Sequence, residues 1–474
     1  MNVHRGTRYW IAIAALVAPA ALGAQGFGLN EISTCGIGRG FANVSGACRD
    51  ASSIYWNPAA VVDLPGWSFL LGGAVIPVEG NFTQDSTGRV FEANPPTEFV
   101  PHFFVNYQPK NSRASYGLGV YVPYGLTSQW PDSFPGRFAA QKASIKTIYI
   151  QPNFGWKFND KWSVGVGPII AHSSVELKQS LDLSAQTAAT NPATGGPITF
   201  AQLGIAKYTE FAQAKLEGDA WGYGVHLGVL AKPTKDWTFG ARWLAPIYFK
   251  YDDADATFTQ VNTNLVLGGA IPNPANPSGP PAIPAGTPVD ALVAPQFASG
   301  GALVAQKVST KIMHPQQLQL GVAYGGFAGW NLEADFGWVG WQSFKELPVQ
   351  FAGPAPSRTL IEDYNNSSSI RLGAEYAFAN KIHARVGFAG VAAAAPDVTV
   401  TPLLPDQDRA NYTAGLSIPF GNYGLDVAYL RVQTQGARGR IDERSSRAQT
   451  AAQLNSGVYD LTANIFAFSL KASF

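Results

Sequence analysis

Alternating apolar and small or polar residues fill most of the chain from Trp67 to its last residue. The final segment is typical, because Phe466, Phe468, Leu470 and Phe474 all fall on alternate positions. A period of two residues is that of a β-strand with two different faces. About fourteen such segments follow one another, each near the ten residues that a tilted strand needs to cross a bilayer.

The connections between these segments alternate in length. Short turns occur at 109–112, 159–161, 233–236, 327–329, 380–381 and 421–422. Long connections occur at 78–96, 125–142, 179–214, 252–306, 346–365, 391–408 and 434–457. Short turns on one side and long loops on the other are the plan of outer-membrane barrels, with the short turns in the periplasm.

Polar residues occupy the positions between the apolar ones. A slip of one residue would turn charges into hydrocarbon, so we expect a fixed register in which these polar residues face the lumen. The acidic and basic residues of neighbouring segments predict an internal salt-bridge ladder that braces the wall: Glu333, Asp335, Arg371, Glu375 and Arg385. Arg242 has no obvious acidic partner on its own segment, which leaves a ligand carboxylate or the N-terminal segment as its partner.

The pattern predicts an all-β protein, an antiparallel transmembrane β-barrel over residues 66–474. A large soluble β-sandwich is the alternative, but it would need polar residues on one face of each strand and fewer exposed aromatic residues. Residues 25–65 are rich in Gly, Ser and Ala, lack alternation, and form a separate N-terminal segment.

The first 24 residues predict a cleaved secretory signal peptide, which implies export to the bacterial outer membrane. Arg5 and Arg8 precede an apolar stretch, 10–22, that is too short to span a bilayer. Cleavage after Ala24 or after Gly23 fits the small residues that follow. An uncleaved anchor is the alternative, but no positive stop-transfer sequence follows.

Composition agrees with a barrel. Charged residues make up 14% of the chain, against roughly 25% in average globular domains. Mean hydropathy is −0.01, as expected when lipid-facing and lumen-facing residues cancel. The net charge of +1 lacks the basic excess of a nucleic-acid-binding protein.

Cys35 and Cys48 are the two cysteines of the chain, and an oxidising compartment favours a disulfide between them. Two buried free thiols are the alternative. The sequence contains no nucleophile elbow, zinc-protease motif or P-loop, and its six histidines are scattered, so we expect no enzyme, no cofactor and no metal site.

Several motifs are similar to those of the FadL family of outer-membrane transporters, which carry long-chain fatty acids and, in some relatives, aromatic hydrocarbons. They are Gly26-Phe-Gly-Leu-Asn-Glu-Ile-Ser33, Gly36-Ile-Gly-Arg39, Asp50-Ala51, Asn57-Pro58-Ala59, Pro123-Tyr-Gly-Leu126, Trp130-Pro131, Gly136-Arg-Phe138, Gly218–Gly224 and Trp341–Leu347. The resemblance implies a fourteen-stranded barrel whose lumen is closed by residues 25–65, the hatch.

The resemblance also implies site residues. Those of the hatch gate are Asn30, Glu31, Gly36, Gly38, Arg39, Asn57, Pro58 and Ala59. Those of a lateral opening beside a kinked third strand are Gly117, Gly119 and Pro123, since Gly and Pro weaken a strand locally. Candidate ligand contacts are Leu203, Phe211, Phe258, Arg242 and Lys345. An ordinary barrel rim and loops that pack on themselves are the alternatives.

The expected function is passive uptake of hydrophobic molecules, fatty acids or related hydrocarbons, with lateral release to the membrane. A surface adhesin or receptor that uses its long loops is the alternative, and a barrel lipase has no nucleophile to support it. Expected partners are the hydrophobic ligand, outer-membrane lipid and lipopolysaccharide, and the barrel-insertion machinery through Phe474, with no nucleic acid. We expect a monomer.

Overall fold

The computed structural model describes residues 26–191, 194–273, 275–276, 278–439 and 455–474. The predicted signal peptide, residues 1–24, lies outside them. In this part of the chain, no helix is long and apolar enough to cross a membrane.

Fourteen antiparallel strands form the barrel wall, in the order of the chain. They are β1 (Gly66–Ile76, continued by Val78–Gln84), β2 (Glu98–Gln108), β3 (Ala114–Gln129), β4 (Lys142–Lys157), β5 (Trp162–Asp182), β6 (Glu210–Ala231), β7 (Trp237–Leu244 and Ile247–Gln260), β8 (Gln306–His314 and Gln317–Tyr324), β9 (Trp330–Val339), β10 (Ser367–Ala377), β11 (His383–Val391), β12 (Arg409–Phe420), β13 (Tyr423–Thr434) and β14 (Gly457–Ser473). The first and last strands pair from Ser68–Ser473 to Val75–Phe466, which closes the barrel.

Short elements lie outside this wall. Strands run over Val90–Glu92, Thr187–Thr190, Pro197–Thr199, Glu346–Phe351, Arg358–Ile361 and Ala437–Gly439. The α-helices are α1 (Thr34–Gly38), α2 (Ser53–Trp56) and α3 (Val289–Val293), and 3₁₀ turns cover Ala60–Asp63, Pro135–Phe138, Ala201–Leu203, Ala294–Phe297, Trp341–Ser343 and Asp397–Thr399.

The two faces of the wall follow the predicted alternation. On β6, Trp221, Tyr223 and Leu227 are exposed to the membrane side, whereas His226 is buried in the lumen. Apolar side chains face the lipid, and polar side chains form hydrogen bonds with one another and with the hatch inside the lumen. The strands β5 and β6 contain 21 and 22 residues, about twice the length that a bilayer requires, so their outer ends project beyond it.

The predicted salt-bridge ladder is present only in part. Arg385 Nε lies 2.6 Å from Glu375 Oε2, and Arg385 also lies 3.5 Å from Asp426. Glu333, Asp335 and Arg371 instead contact the N-terminal segment, as described below. Alternation correctly placed these residues in the lumen, but it could not show that the hatch would provide their hydrogen-bond partners.

Candidate functional site

Residues 26–65 lie inside the barrel, and almost all of them are buried; Arg49 and Pro65 are the exposed ones. The segment folds into two short helices rather than strands. The Ser33 side chain caps α1 by accepting a hydrogen bond from Gly36 N, and it also accepts one from Trp56 Nε1 at 2.9 Å. A side chain at Gly36 would collide with the Trp56 ring, so this glycine lets α1 and the end of α2 pack together.

Wall carboxylates hold the middle of the hatch. Asp335 Oδ2 accepts hydrogen bonds from Asn43 N and Val44 N at 2.9 and 3.0 Å, and Glu333 Oε1 accepts one from Ser45 N at 2.7 Å. Arg39 reaches the same site, 3.4 Å from Glu333 Oε2. Carboxylates bind backbone N–H groups strongly in a low-dielectric interior, so these contacts fix the hatch against β9.

The Asn57-Pro58-Ala59 segment is held by side chains of β4 and β5 and by the backbone of β6. Asn57 Nδ2 donates to Val229 O at 3.0 Å, while Asn153 donates to Pro58 O and Ser163 to Ala59 O, both at 3.2 Å. All three predicted residues therefore contact the wall. The 3₁₀ turn Ala60–Asp63 then leads from this segment towards β1.

Inward-facing glycines of the wall make this fit possible. A Cβ atom on Gly240 would lie 2.1 Å from Val44 O, and one on Gly165 would lie 2.1 Å from the carbonyl carbon of Pro58. The hatch backbone thus touches the wall backbone without intervening side chains. The sequence analysis did not identify these glycines, although their inward register marks them.

The remaining predicted gate residues lie at the start of the hatch. Asn30 Oδ1 accepts a hydrogen bond from Arg371 at 3.2 Å, and Asn30 N donates to Glu31 Oε2 at 2.9 Å. Burial raises the pKa of Glu31, although backbone hydrogen bonds and Arg409 oppose the shift. Gly38 packs against the backbone of Gly415 on β12.

A disulfide joins Cys35 and Cys48 in the structure, with their Cα atoms 5.9 Å apart. Both residues are buried inside the barrel. The bond ties α1 to the loop that precedes α2. It leaves residues 26–34 outside the closed loop.

The first residues of the hatch pair with a bulge in β3. The β3–β4 ladder passes from Tyr121–Tyr149 to Tyr124–Thr147, so β3 carries one extra residue at 122–123. Leu29 N donates to Pro123 O, and Gly125 N donates to Phe27 O, both at 2.9 Å. Strict alternation from Tyr116 and Leu118 would turn Tyr124 to the lipid. Tyr124 is instead buried, because the bulge shifts the register and turns its side chain into the lumen.

The ladder between β2 and β3 is incomplete in its outer half. It runs from Tyr107–Tyr116 to Phe103–Val120 and does not continue to the outer ends of the two strands. At the outer edge, Glu98 bridges the strands by accepting hydrogen bonds from Thr127 Oγ1 at 2.8 Å and Lys146 Nζ at 2.9 Å. We call the unpaired stretch between residues 98–102 and 121–127 the window.

Two of the three predicted opening residues lie elsewhere. Gly117 and Gly119 belong to the intact ladder, opposite Asn106 and Phe104, and their inward faces pack under Ile54 of α2. The bulge contains Pro123, at the edge of the window. Gly117 and Gly119 therefore contact the hatch and lie outside the window.

A cavity of about 350 Å³, the window cavity, runs through the window. Its lining combines exposed side chains of the membrane side, such as Phe99 and Ile148, with lumen residues such as Leu29, Trp130 and Arg409. The window cavity thus borders residues of the lumen and residues of the lipid-facing surface.

A second cavity, the lumen cavity, lies next to the first and has a volume of about 100 Å³. Its walls are apolar, with Phe27, Ile312, Phe344 and Val349 among the lining side chains. Leu126 and Ile145 line both cavities. The segment Phe27–Leu29 lies between them, since Phe27 lines the lumen cavity and Leu29 the window cavity.

The outer loops form a separate hydrophobic cluster. Leu203 and Phe211, two predicted ligand contacts, are buried in this cluster with Leu267, Ile271 and Val293. Phe258 is half-buried between it and the main core of the barrel. The loops thus pack on themselves, which was the alternative left open by their sequence.

The two predicted cations have different positions. Arg242 is buried under the hatch, where it donates to Tyr55 O at 3.1 Å, Gln319 Oε1 at 2.9 Å and Gln317 Oε1 at 3.0 Å. Lys345 is exposed, and neither cavity includes it. Of the two partners expected for Arg242, a ligand carboxylate and the N-terminal segment, the structure shows the second, since Arg242 contacts the hatch.

Comparison with known families decides the classification. The model of the family described as outer membrane protein transport protein (OMPP1/FadL/TodX) matches residues 13–474. The chain belongs to this family. It is an outer-membrane transport protein with a fourteen-stranded barrel, and not an enzyme.

Relatives and solved structures match along almost the whole chain. The long-chain fatty acid transport protein of Escherichia coli O6:H1 is 25% identical over 437 residues, which cover 89% of this chain and 90% of that one. Outer membrane protein P1 of Haemophilus influenzae is 22% identical over 494 residues, 98% of each chain.

Two crystal structures illustrate the shared fold. A Pseudomonas aeruginosa FadL homologue is 22% identical with a TM-score of 0.76, covering 95% of this chain and all of that one. The Ralstonia pickettii toluene transporter TbuX is 18% identical with a TM-score of 0.61, covering 94% and 99%. These likenesses establish the barrel architecture of this family member.

Proposed function

We propose that this protein takes up hydrophobic molecules, long-chain fatty acids or related hydrocarbons, by passive diffusion and releases them sideways through the window into the membrane. The observation that carries the proposal is the incomplete β2–β3 ladder, where one cavity is lined by lumen residues and by lipid-facing residues. Relatives named for long-chain fatty acid transport and a structural neighbour named for toluene transport support the substrate range.

The route follows from the order of the cavities. A hydrophobic molecule that leaves the outer loops reaches the lumen cavity, where apolar side chains replace water around it. Phe27–Leu29 separates this cavity from the window cavity and is held to β3 by backbone bonds to Pro123 and Gly125. A shift of this short segment would join the two spaces, whereas the disulfide-bonded hatch behind it stays in place.

Lateral release fits the physics better than passage through the hatch. Below the lumen cavity, the lumen is filled by the buried hatch, with its Arg39, and by charged wall residues such as Asp335. Moving an apolar molecule through that region would break hydrogen bonds to carboxylates and leave them unpaired. The window opens directly onto lipid, where the same molecule is soluble.

The test fills the window with a larger side chain. Val122 lines the window cavity and is half-buried there, so Val122→Trp should obstruct the opening. Val229→Trp on β6 is the matched control, because Val229 faces lipid and lies outside both cavities. Cells that lack their own long-chain fatty acid transporter, expressing each variant, are assayed for uptake of labelled palmitate.

We expect Val122→Trp to reduce uptake by about tenfold and Val229→Trp to leave it within about twofold, at equal surface expression. Equal uptake by both variants and the wild type would contradict release through the window. Wild-type cells that take up neither palmitate nor a hydrocarbon such as toluene would contradict the uptake function itself.

A further inference from the structure

Two lysines face each other on the outer surface of the barrel wall. Lys250 of β7 lies directly opposite Lys311 of β8 in the register of the two strands. Both side chains are exposed, whereas their neighbours Phe249 and Ile312 are buried on the lumen side. Directly opposed residues of an antiparallel pair have Cβ atoms about 5 Å apart and point to the same face. We call Lys250 and Lys311 the lysine pair.

No acidic side chain neutralises the lysine pair in the part of the chain that the structure describes. Neither ammonium group makes a hydrogen bond there or lies within ion-pair distance of a carboxylate. The next acidic residue along β7, Asp252, is exposed and is not a partner of either lysine. Asp253 and Asp255 contact a third lysine, Lys307, at 3.3 and 2.8 Å. Like charges directly opposite each other destabilise a strand pair, so the wall retains a repulsion that an anion from outside the chain would relieve.

The lysine pair lies at the outer edge of the membrane. Trp237 begins β7 beside a short periplasmic turn, and Tyr248 is the exposed aromatic residue near its outer end. At about 3.3 Å per residue and a tilt of about 40°, the eleven residues between them rise by about 28 Å, close to the apolar band of about 25 Å that separates the two aromatic girdles. Lys250 follows Tyr248 by two residues on the same face. Its ammonium group therefore lies at the level of the lipid headgroups, on the side of the long loops.

Apolar side chains lie directly below the lysine pair on the same outer surface. Tyr248 and Met313 form the next outward-facing pair of β7 and β8. Leu318 and Leu320 are exposed further along β8, towards the periplasmic end. A lipid that places its headgroup on the two ammonium groups can therefore lay its acyl chains along this surface.

We propose that the lysine pair binds a phosphate monoester of lipopolysaccharide, with the acyl chains of that lipid on the apolar wall below. A phosphate monoester carries close to two negative charges at neutral pH, which matches two ammonium groups, whereas the phosphodiester of a phospholipid carries one. The lysine pair also lies on the side of the barrel that faces the outer leaflet, where lipopolysaccharide is the main lipid. The site is separate from the uptake route, since neither lysine lines the window cavity or the lumen cavity.

The test measures binding of lipid A, the membrane anchor of lipopolysaccharide, to the folded barrel in a non-ionic detergent. Native mass spectra are recorded for the wild type, Lys250→Gln/Lys311→Gln and Lys250→Arg/Lys311→Arg. The probes are lipid A with both phosphates, its dephosphorylated form, and phosphatidylglycerol as a phosphodiester. Lys161→Gln/Lys235→Gln is the matched control, because it removes two exposed lysines from periplasmic turns and changes the net charge equally.

We expect the affinity for phosphorylated lipid A to fall at least tenfold in the glutamine variant, because charge-assisted contacts are lost. The arginine variant and the control should stay within about twofold of the wild type, since both keep two cations at the site. Dephosphorylated lipid A and phosphatidylglycerol should bind the wild type and all variants alike.

Wild-type affinity in the glutamine variant, or an equal loss for dephosphorylated lipid A, would overturn the assignment to a phosphate. Phosphatidylglycerol that binds the wild type as tightly as lipid A, and loses as much in the glutamine variant, would show that an ordinary phospholipid occupies the site. That result would overturn the assignment to lipopolysaccharide.

A second measurement separates lipid binding from a structural role of the lysine pair. Without lipid, the glutamine variant should change its migration on a detergent gel at the wild-type temperature or above it, because a like-charge contact has been removed. Phosphorylated lipid A should raise this temperature for the wild type and not for the variant, since a ligand that binds the folded barrel stabilises it. A lower temperature for the variant without lipid would show that the lysines stabilise the wall themselves, and would contradict the proposal.

Discussion

Gly26 N donates a hydrogen bond to Asp406 Oδ1 at 3.2 Å, although 380 residues separate the two in the chain. The other oxygen of this buried carboxylate accepts hydrogen bonds from Ala394 N and Ala395 N at 2.7 and 3.1 Å. One side chain thus ties the outer loop between β11 and β12 to the first residue of the described hatch. The loop that faces the outside and the segment that separates the two cavities share an anchor.

This anchor predicts a pH dependence. Burial raises the pKa of Asp406 above its ordinary 3.8, while Arg409 and the three backbone donors oppose the shift. A raised pKa means that the folded state holds the proton more tightly than the unfolded state, so the contribution of Asp406 to stability is fully present below about pH 3.8 and is lost as the pH rises through the folded pKa.

We therefore expect the stability difference between the wild type and Asp406→Asn to move against the wild type as the pH rises from about 4 to about 8. The measurement is the temperature at which each folded barrel changes its migration on a detergent gel. Asp397→Asn, an exposed carboxylate in the same loop, is the control and should follow the wild type. A difference that stays constant over this range would contradict the assignment to Asp406.

The disulfide inside the hatch gives a second prediction. A cross-link between residues separated by 13 positions should stabilise the folded hatch by on the order of 3 kcal/mol in the chain-entropy model. We expect thiol labelling of the unfolded, unreduced protein to find no free cysteine, and Cys35→Ser/Cys48→Ser to make the hatch more sensitive to protease. Two reactive thiols per chain would show that the bond does not form in the native protein.

Gly117 gives a third prediction. A Cβ atom there would lie 2.7 Å from Ile54 Cδ1 and 3.0 Å from Val105 O, so Gly117→Val should push against α2 of the hatch. We expect a loss of about 1–3 kcal/mol from overpacking, seen as a lower temperature of the gel shift.

Ile54→Ala should make room for the added valine, so the double variant should lose less stability than the sum of the two single variants. Strictly additive losses would mean that Gly117 and Ile54 do not interact. The lateral opening, which the resemblance implied for Gly117, would then be the better explanation for this glycine.

The alternation of residues was sufficient to predict the barrel because lipid and lumen impose opposite demands on neighbouring side chains. It failed at Tyr124, where an added residue in β3 reverses the register, although Pro123 marks the place. A bulge changes the direction of a side chain without changing the composition of its strand. The alternation of residues alone therefore could not show at which residue the inward and outward positions would exchange.

The candidate site was less predictable, because it depends on contacts between distant parts of the chain. Arg242 has no acidic partner on its own segment in the sequence, and only the structure shows that it contacts the hatch carbonyl of Tyr55. Leu203 and Phe211 were expected to contact ligand as apolar loop residues, but the loops bury them in a core of their own. The chemical type of each side chain is known from the sequence, but its contacts depend on residues that are distant in the chain.

The close contact between the hatch backbone and the wall glycines has a consequence for how the barrel assembles. Where Gly240 and Gly165 meet the hatch backbone, no gap is left through which a folded plug could later slide past wall side chains. The seam that closes the cylinder joins β1, which follows the hatch directly, to β14, which is synthesised last. A hatch that had already folded could not slide past these contacts into a closed cylinder, so the hatch and the wall must reach their final shapes together.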